Sequence, residues 1–162
     1  MPARSAPSAR CRRCRPATGR GSSRTNLTSA FYAAKHQIPA LRARGGGAIV
    51  FTGTFVGHTV GLPGMAAYAA SKAGLIGLVE VLAIEHGPEN IRVNALLPGG
   101  NKTDMARADE GSRRVVAGSH ALKRMAEPEE IAGAALFLVS DLGSFVTGSA
   151  MLADGGNSIA KA

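Results

Sequence analysis

Ala48-Ile49-Val50-Phe51-Thr52 is a short, unbroken apolar run set between Gly45-Gly46-Gly47 and Gly53. A strand that is apolar on both sides needs cover on both faces, so this run reads as a buried strand. A loop spaced by Gly57, Gly61 and Gly64 leads from it into a long helical pattern from about Ala66 to His86. Gly87-Pro88 closes that helix, and Ile91-Arg92-Val93-Asn94-Ala95-Leu96-Leu97 is the next strand, stopped by Pro98-Gly99-Gly100. Upstream, Leu27, Phe31, Ala34, Ile38 and Leu41 recur at helical spacing and predict an amphipathic helix over 25–43. Pro39 stands where it would kink that helix or end it early. Downstream, residues 101–124 are polar and read as a mobile connection with one short helix. Glu127-Pro128-Glu129-Glu130 opens a further helix to about Ser140, its first-turn acids favoured by the helix dipole. Ala150-Met151-Leu152-Ala153 is the last strand, before Asp154-Gly155-Gly156. Apolar strands alternating with helices of ten or more residues predict an α/β fold with a parallel sheet, here about three strands with flanking helices.

The 162 residues suffice for one compact domain, and 45% hydrophobic with 19% charged residues is a globular composition. The longest apolar runs fall far short of a membrane span, which argues against a transmembrane protein. The formal charge of +8 is concentrated at one end. Seven arginines (Arg4, Arg10, Arg12, Arg13, Arg15, Arg20, Arg24) lie in residues 1–24, which hold no acid. Removing that segment from 19 basic and 11 acidic residues leaves 12 against 11, a net charge of +1.

Residues 1–24 carry too little apolar surface to offset the entropy of ordering, so they are expected to form a disordered leader, with the folded domain over 25–162. The segment lacks the apolar core of a secretory signal. Its arginines fit an organellar transit peptide or a nucleic-acid arm, but an incidental extension explains them with less. Nucleic acid is therefore not an expected partner, nor is a membrane. Cys11 and Cys14 have no second pair, so no zinc or redox site is assigned to them. They are the only two cysteines, and a domain without disulfides suits the cytoplasm.

Tyr68 and Lys72 are the residues that suggest chemistry. Spaced i, i+4 within Ala67-Tyr68-Ala69-Ala70-Ser71-Lys72-Ala73-Gly74, they share one face of a helix. A phenol titrates near 10 in water, about three pH units too high for ready proton exchange at neutrality. A neighbouring ammonium favours the ionised phenol, which is how such a pair becomes an acid/base catalyst. The small residues between them would let another group approach the helix closely. Taken alone, the pair reads as two surface neighbours, since most such pairs have no role.

Six features in order remove that ambiguity: Asn26 opening the first helix, Ile49-Val50-Phe51-Thr52-Gly53-Thr54, Tyr68-Ala69-Ala70-Ser71-Lys72-Ala73, Ile91-Arg92-Val93-Asn94, Pro98-Gly99 with Thr103, and Asp154-Gly155-Gly156. Together they resemble the short-chain dehydrogenase/reductase family over 25–162. The resemblance implies a partial Rossmann-like, doubly wound parallel sheet, the C-terminal portion of such an enzyme without its glycine-rich nucleotide-binding turn. It implies hydride transfer between NAD or NADP and a small-molecule carbonyl or alcohol substrate. Tyr68 would exchange the proton, and Lys72 would assist it and hold the nicotinamide ribose. Thr54 would replace the family's usual serine on the substrate oxygen, and Asn26 would anchor a water relay. Pro98, Gly99, Gly100 and Thr103 would line the nicotinamide, while 104–124 falls where the family varies its substrate loop. The choice between NAD and NADP lies outside these motifs.

The resemblance also implies that the strand at 48–52 lacks one neighbour and presents an unpaired edge. A homo-oligomer is expected. The competing reading is an inactive remnant that pairs with a full-length relative through its final helix and strand. His36, His58, His86 and His120 show no ligand spacing and are assigned to surface or packing. Arg113-Arg114 and Lys123-Arg124 are assigned to solvated loop charge, Asn94 to a hydrogen bond with a neighbouring turn, and Thr54 alternatively to capping its own turn.

Overall fold

A computed structural model describes residues 16–103 and 109–160. Cys11, Cys14 and most of the arginine-rich leader lie outside the described residues, as does part of the 104–124 connection. Three parallel strands form one sheet in the order β1 (Gly47–Thr52), β2 (Ile91–Pro98), β3 (Ala150–Ala153). β1 meets β2 in register from Gly47↔Ile91 to Thr52↔Leu96, and β2 meets β3 from Ala95↔Ala150 to Pro98↔Ala153. Among the described residues β1 is an edge strand.

The N-terminal helix differs from its expected start. It begins at Pro16 rather than residue 25, as α1 (Pro16–Ser22), a π-helical segment (Ser23–Thr28) and α2 (Ser29–Ala43). Gly19 and Gly21 disfavour a helix here. Tertiary contact supplies what propensity lacks, since α1 and the π segment lie along α3 (Ala66–His86). A Cβ at Gly74 would stand 2.8 Å from Leu27, so glycine is what allows this approach. Pro39 neither ends nor shortens α2, because it sits on the exposed face and forfeits only its own backbone donor.

Alternation along β2 separates the two faces of the sheet. Ile91, Val93, Ala95 and Leu97 are fully buried with Ala34 and Ile38 of α2 and Leu75 and Val79 of α3. Arg92 and Asn94 bond instead to backbone at and beyond the end of α5 (Pro128–Val139). The result is a sheet between helical layers. α5 starts with a Glu127/Glu130 capping box, and Arg124 holds Glu130 through two bonds of 2.6 and 2.7 Å. That pairing and the Glu127 N–H hold the Glu130 carboxyl at about 2. The polar connection contains α4 (Glu110–Gly118), capped by the Asp109 carboxylate on the Ser112 N–H at 3.0 Å.

By length and composition alone, α3 is apolar enough to cross a membrane, which corrects the reading from uninterrupted runs. Lys72, Glu80 and Glu85 break the runs without making the helix polar. One stripe of α3 is core, yet Val81 and Ile84 on it are exposed, as are Phe31 and Tyr32 on α2. A second exposed apolar group comprises Leu136 and Val139 on α5, with Leu142 and Phe145 beyond it.

Candidate active site

Of the residues singled out by sequence, Thr54 follows β1, Pro98 ends β2, Tyr68 and Lys72 lie on α3, and Asn26 lies in the π segment. Lys72 Nζ donates to the Thr52 carbonyl at 2.7 Å, which fixes the register of α3 over the end of β1. Burial pushes the Lys72 ammonium below its ordinary value. α3 packs on β2, and Tyr68 lies one helical turn before Lys72 on the same face of the helix.

Thr54 is 8% exposed, and its Oγ1 accepts the Val56 N–H at 3.3 Å. It therefore caps its own turn, and the hydroxyl proton remains available to a further acceptor. The small residues after Tyr68 are approached by the loop at Gly57, where a Cβ would lie 2.8 Å from that of Ala69. Asn26 lies in the π segment and donates from Nδ2 to Ser71 Oγ at 2.9 Å. Ser71 in turn donates to the Tyr68 carbonyl at 2.8 Å. A π segment redirects side chains within a helix, and here it accompanies the reach of Asn26 to α3. Ser71 escaped the sequence reading, although it falls on the buried stripe with Leu75, Val79 and Leu82, where a hydroxyl is out of pattern.

Pro98 ends β2, paired with Ala153 of β3, and Gly99 and Gly100 follow it. A Cβ on Gly99 would come within 2.7 Å of the Asp154 backbone, and one on Gly100 within 2.5 Å of Val116. The Asp154 backbone thus requires glycine at 99, whereas at 100 a Cβ would force the Val116 and His120 side chains to move. Gly99 N–H donates to Ala153 O at 3.1 Å, and Ala126 N–H to Gly100 O at 3.0 Å. Asp154 anchors the turn behind this loop, accepting from the N–H of Gly156 at 3.0 Å and of Ser158 at 2.8 Å. Burial raises the Asp154 carboxyl, but the Ser158 and Gly156 hydrogen bonds outweigh it and leave it below the carboxylate norm. A depressed carboxyl stabilises the fold above its unfolded value, near 3.9, and loses that contribution as pH falls through the folded value. Asp154→Asn should therefore lower stability at neutral pH by about 2 kcal/mol and flatten the acid limb of a urea-midpoint-versus-pH curve.

Gly99, Gly100 and Asp154 line a cavity of about 350 Å³ with His120 and Glu130. Thr103 lines a different one, of about 580 Å³, with Arg113, Arg114 and Lys123. Of the expected nicotinamide-lining residues, Gly99 and Gly100 line one cavity and Thr103 the other, and neither is lined by Pro98, Asn26, Thr54, Tyr68 or Lys72. Asn94 bonds the turn before β3 through both amide ends, Nδ2 to Val146 O at 2.9 Å and Oδ1 from Ser149 N–H at 3.0 Å, in line with its structural assignment. No cluster of potential metal ligands occurs among the described residues.

Lys72 fits a nicotinamide ribose by its donor chemistry. An ammonium has three donors and Thr52 accepts one, leaving capacity for the two hydroxyls of a ribose.

A family model described as Enoyl-(Acyl carrier protein) reductase matches residues 9–158, starting ahead of the expected domain boundary. Cyclohexanol dehydrogenase of Acinetobacter sp. (strain SE19) is 39% identical over 130 residues, covering 80% of this chain and 51% of that protein. The 2,5-dichloro-2,5-cyclohexadiene-1,4-diol dehydrogenase of Sphingobium indicum is 42% identical over 136 residues, covering 81% and 54%. A gluconate 5-dehydrogenase from Burkholderia cenocepacia J2315, solved with NADP and tartrate, superimposes with a TM-score of 0.88 at 27% identity over 95% of this chain and 61% of that one. The chain spans about half the length of the curated relatives it matches. With the parallel sheet, the Tyr68/Lys72 helix and these matches, the chain belongs to the short-chain dehydrogenase/reductase family.

Proposed function

We propose that this chain carries the catalytic half of an NAD- or NADP-dependent oxidoreductase that interconverts a carbonyl and an alcohol. The observation that carries the reading is the Lys72–Thr52 bond. It ties the helix that carries Tyr68 and Lys72 to the carboxyl end of β1, and α/β folds bind their ligands at the carboxyl ends of their strands. The nicotinamide, when bound, supplies or takes the hydride at the substrate carbon.

Tyr68 gives the substrate oxygen its proton in reduction and removes it in oxidation. Thr54 donates a hydrogen bond to the same oxygen with the proton its turn leaves available. Lys72 holds the ribose hydroxyls and favours the ionised phenol. Asn26, held by Ser71, offers its carbonyl to a water that returns the proton toward solvent. Pro98, Gly99, Gly100 and Thr103 line the nicotinamide side. The substrate is a small carbonyl or alcohol compound, handled in the cytoplasm.

The exposed Leu136, Val139, Leu142 and Phe145 favour association through α5 and β3, between copies or with a full-length relative. An inactive chain that acts only by such pairing is the competing reading.

The test is turnover. Cyclohexanol with NAD or NADP, and a 3-oxoacyl thioester with NADH or NADPH, should change nicotinamide absorbance in proportion to the protein added. Sedimentation should show an assembly larger than one chain. Assembly without turnover of either substrate class would favour the inactive reading.

A further inference from the structure

His120, assigned from sequence to surface or packing, is 2% exposed and bonded at both ring nitrogens. The Gly100 N–H donates to Nε2 at 3.0 Å, so Nε2 carries the lone pair. Nδ1 then carries the proton and donates to the Val116 carbonyl of α4 at 2.7 Å. The ring thus ties the last turn of α4 to the loop leaving β2. Its edge is seated against Gly100 and Gly155, where added Cβ atoms would stand 2.9 and 3.3 Å from it. The segment is fastened again by Leu122 N–H to Gly155 O at 3.1 Å and by Asn157 Nδ2 to Ser119 Oγ at 2.7 Å.

We propose that His120 is a positioning residue: as its Nδ1–H tautomer it pins the Gly100 amide and couples the placement of α4 to the nicotinamide-facing loop. The cofactor part of this inference rests on the function proposed above for Pro98–Thr103. The Gly100 carbonyl, in the peptide that follows, is held by the Ala126 N–H, so the His120 bond is what fixes the preceding Gly99–Gly100 peptide plane. Phenylalanine would fill the ring space and leave the Gly100 N–H without its acceptor. Glutamine can place Oε1 near the former Nε2. Asparagine is too short to reach Gly100 and can replace only the Nδ1 donor.

The test uses the full chain with ¹⁵N-labelled histidine and backbone. Wild type should show the Nδ1–H tautomer and a Gly100 amide protected from exchange. His120→Asn and His120→Phe should speed that exchange about tenfold and weaken NADPH or NADH binding about fivefold, with His120→Gln recovering most of both. An Nε2–H tautomer or an unprotected Gly100 amide in wild type would overturn the pin without any variant having to fold. Equal cofactor affinity in wild type and His120→Asn would overturn the coupling. Wild type that binds no cofactor would instead overturn the functional reading, while the tautomer and exchange data still decide the pin.

Discussion

Tyr68→Phe is expected to lower kcat by about a hundred- to ten-thousandfold, the range that a positioned acid/base contributes. The substitution removes one hydroxyl and keeps the ring. Among the described residues that hydroxyl is not bonded to the protein, whereas the Tyr68 carbonyl, which anchors Ser71, is untouched. Fold and cofactor affinity should therefore stay within about twofold of wild type, since the lost group acts only as the substrate oxygen changes charge. Steady-state kinetics beside a nicotinamide titration separates the two quantities. A fall of only a few-fold in kcat would show that the proton travels by another group.

The largest expected effect on stability lies outside the site. Arg92 projects from β2 and donates to Leu138 O at 2.6 Å, Ser140 O at 3.1 Å and Val146 O at 3.3 Å. These carbonyls lie at and just beyond the C-terminus of α5, where the helix has exhausted its own donors and carries partial negative charge. Arg92→Met keeps the aliphatic stem and deletes every donor. Hydrogen bonds to a charged group contribute about 1.5–3 kcal/mol each, and partial exposure reduces what three of them give together. A loss of about 3 kcal/mol in urea unfolding is expected, with Arg92→Lys recovering part of it. A change below about 0.5 kcal/mol, the size of an ordinary surface substitution, would mean that water replaces the guanidinium.

The same residues show what could be read from the sequence. β1, β2 and β3 were legible because each is a short apolar run bracketed by glycine or proline, and α3 because it is long. Arg92 and Asn94 were visible as polar interruptions of β2, but their partners lie about fifty residues away and follow only from the way α5 returns to the sheet. α1 was missed because the leader carries too little apolar surface of its own to order, whereas contact with α3 sustains the helix. His120 was assigned to surface or packing, and no local pattern says which: that a histidine after a polar helix is buried against Gly100 follows only from the fold. Asn26, Thr54, Tyr68 and Lys72 were legible as a spaced set. The structure joins Asn26 to the Tyr68/Lys72 helix through Ser71 and seats Lys72 on Thr52, links that spacing alone does not carry. Pro98, Gly99 and Gly100 were legible as a break, though not the protein atoms that crowd those glycines.

The central claim is that Lys72, seated on the end of β1, helps form a nicotinamide site in this chain. Titrating NADH and NADPH into the purified protein while following nicotinamide fluorescence tests it directly, with Lys72→Ala as the comparison. Saturable binding to wild type, weakened about tenfold or more in the variant, is the expected result. No binding at millimolar cofactor, or equal binding by both proteins, would contradict it.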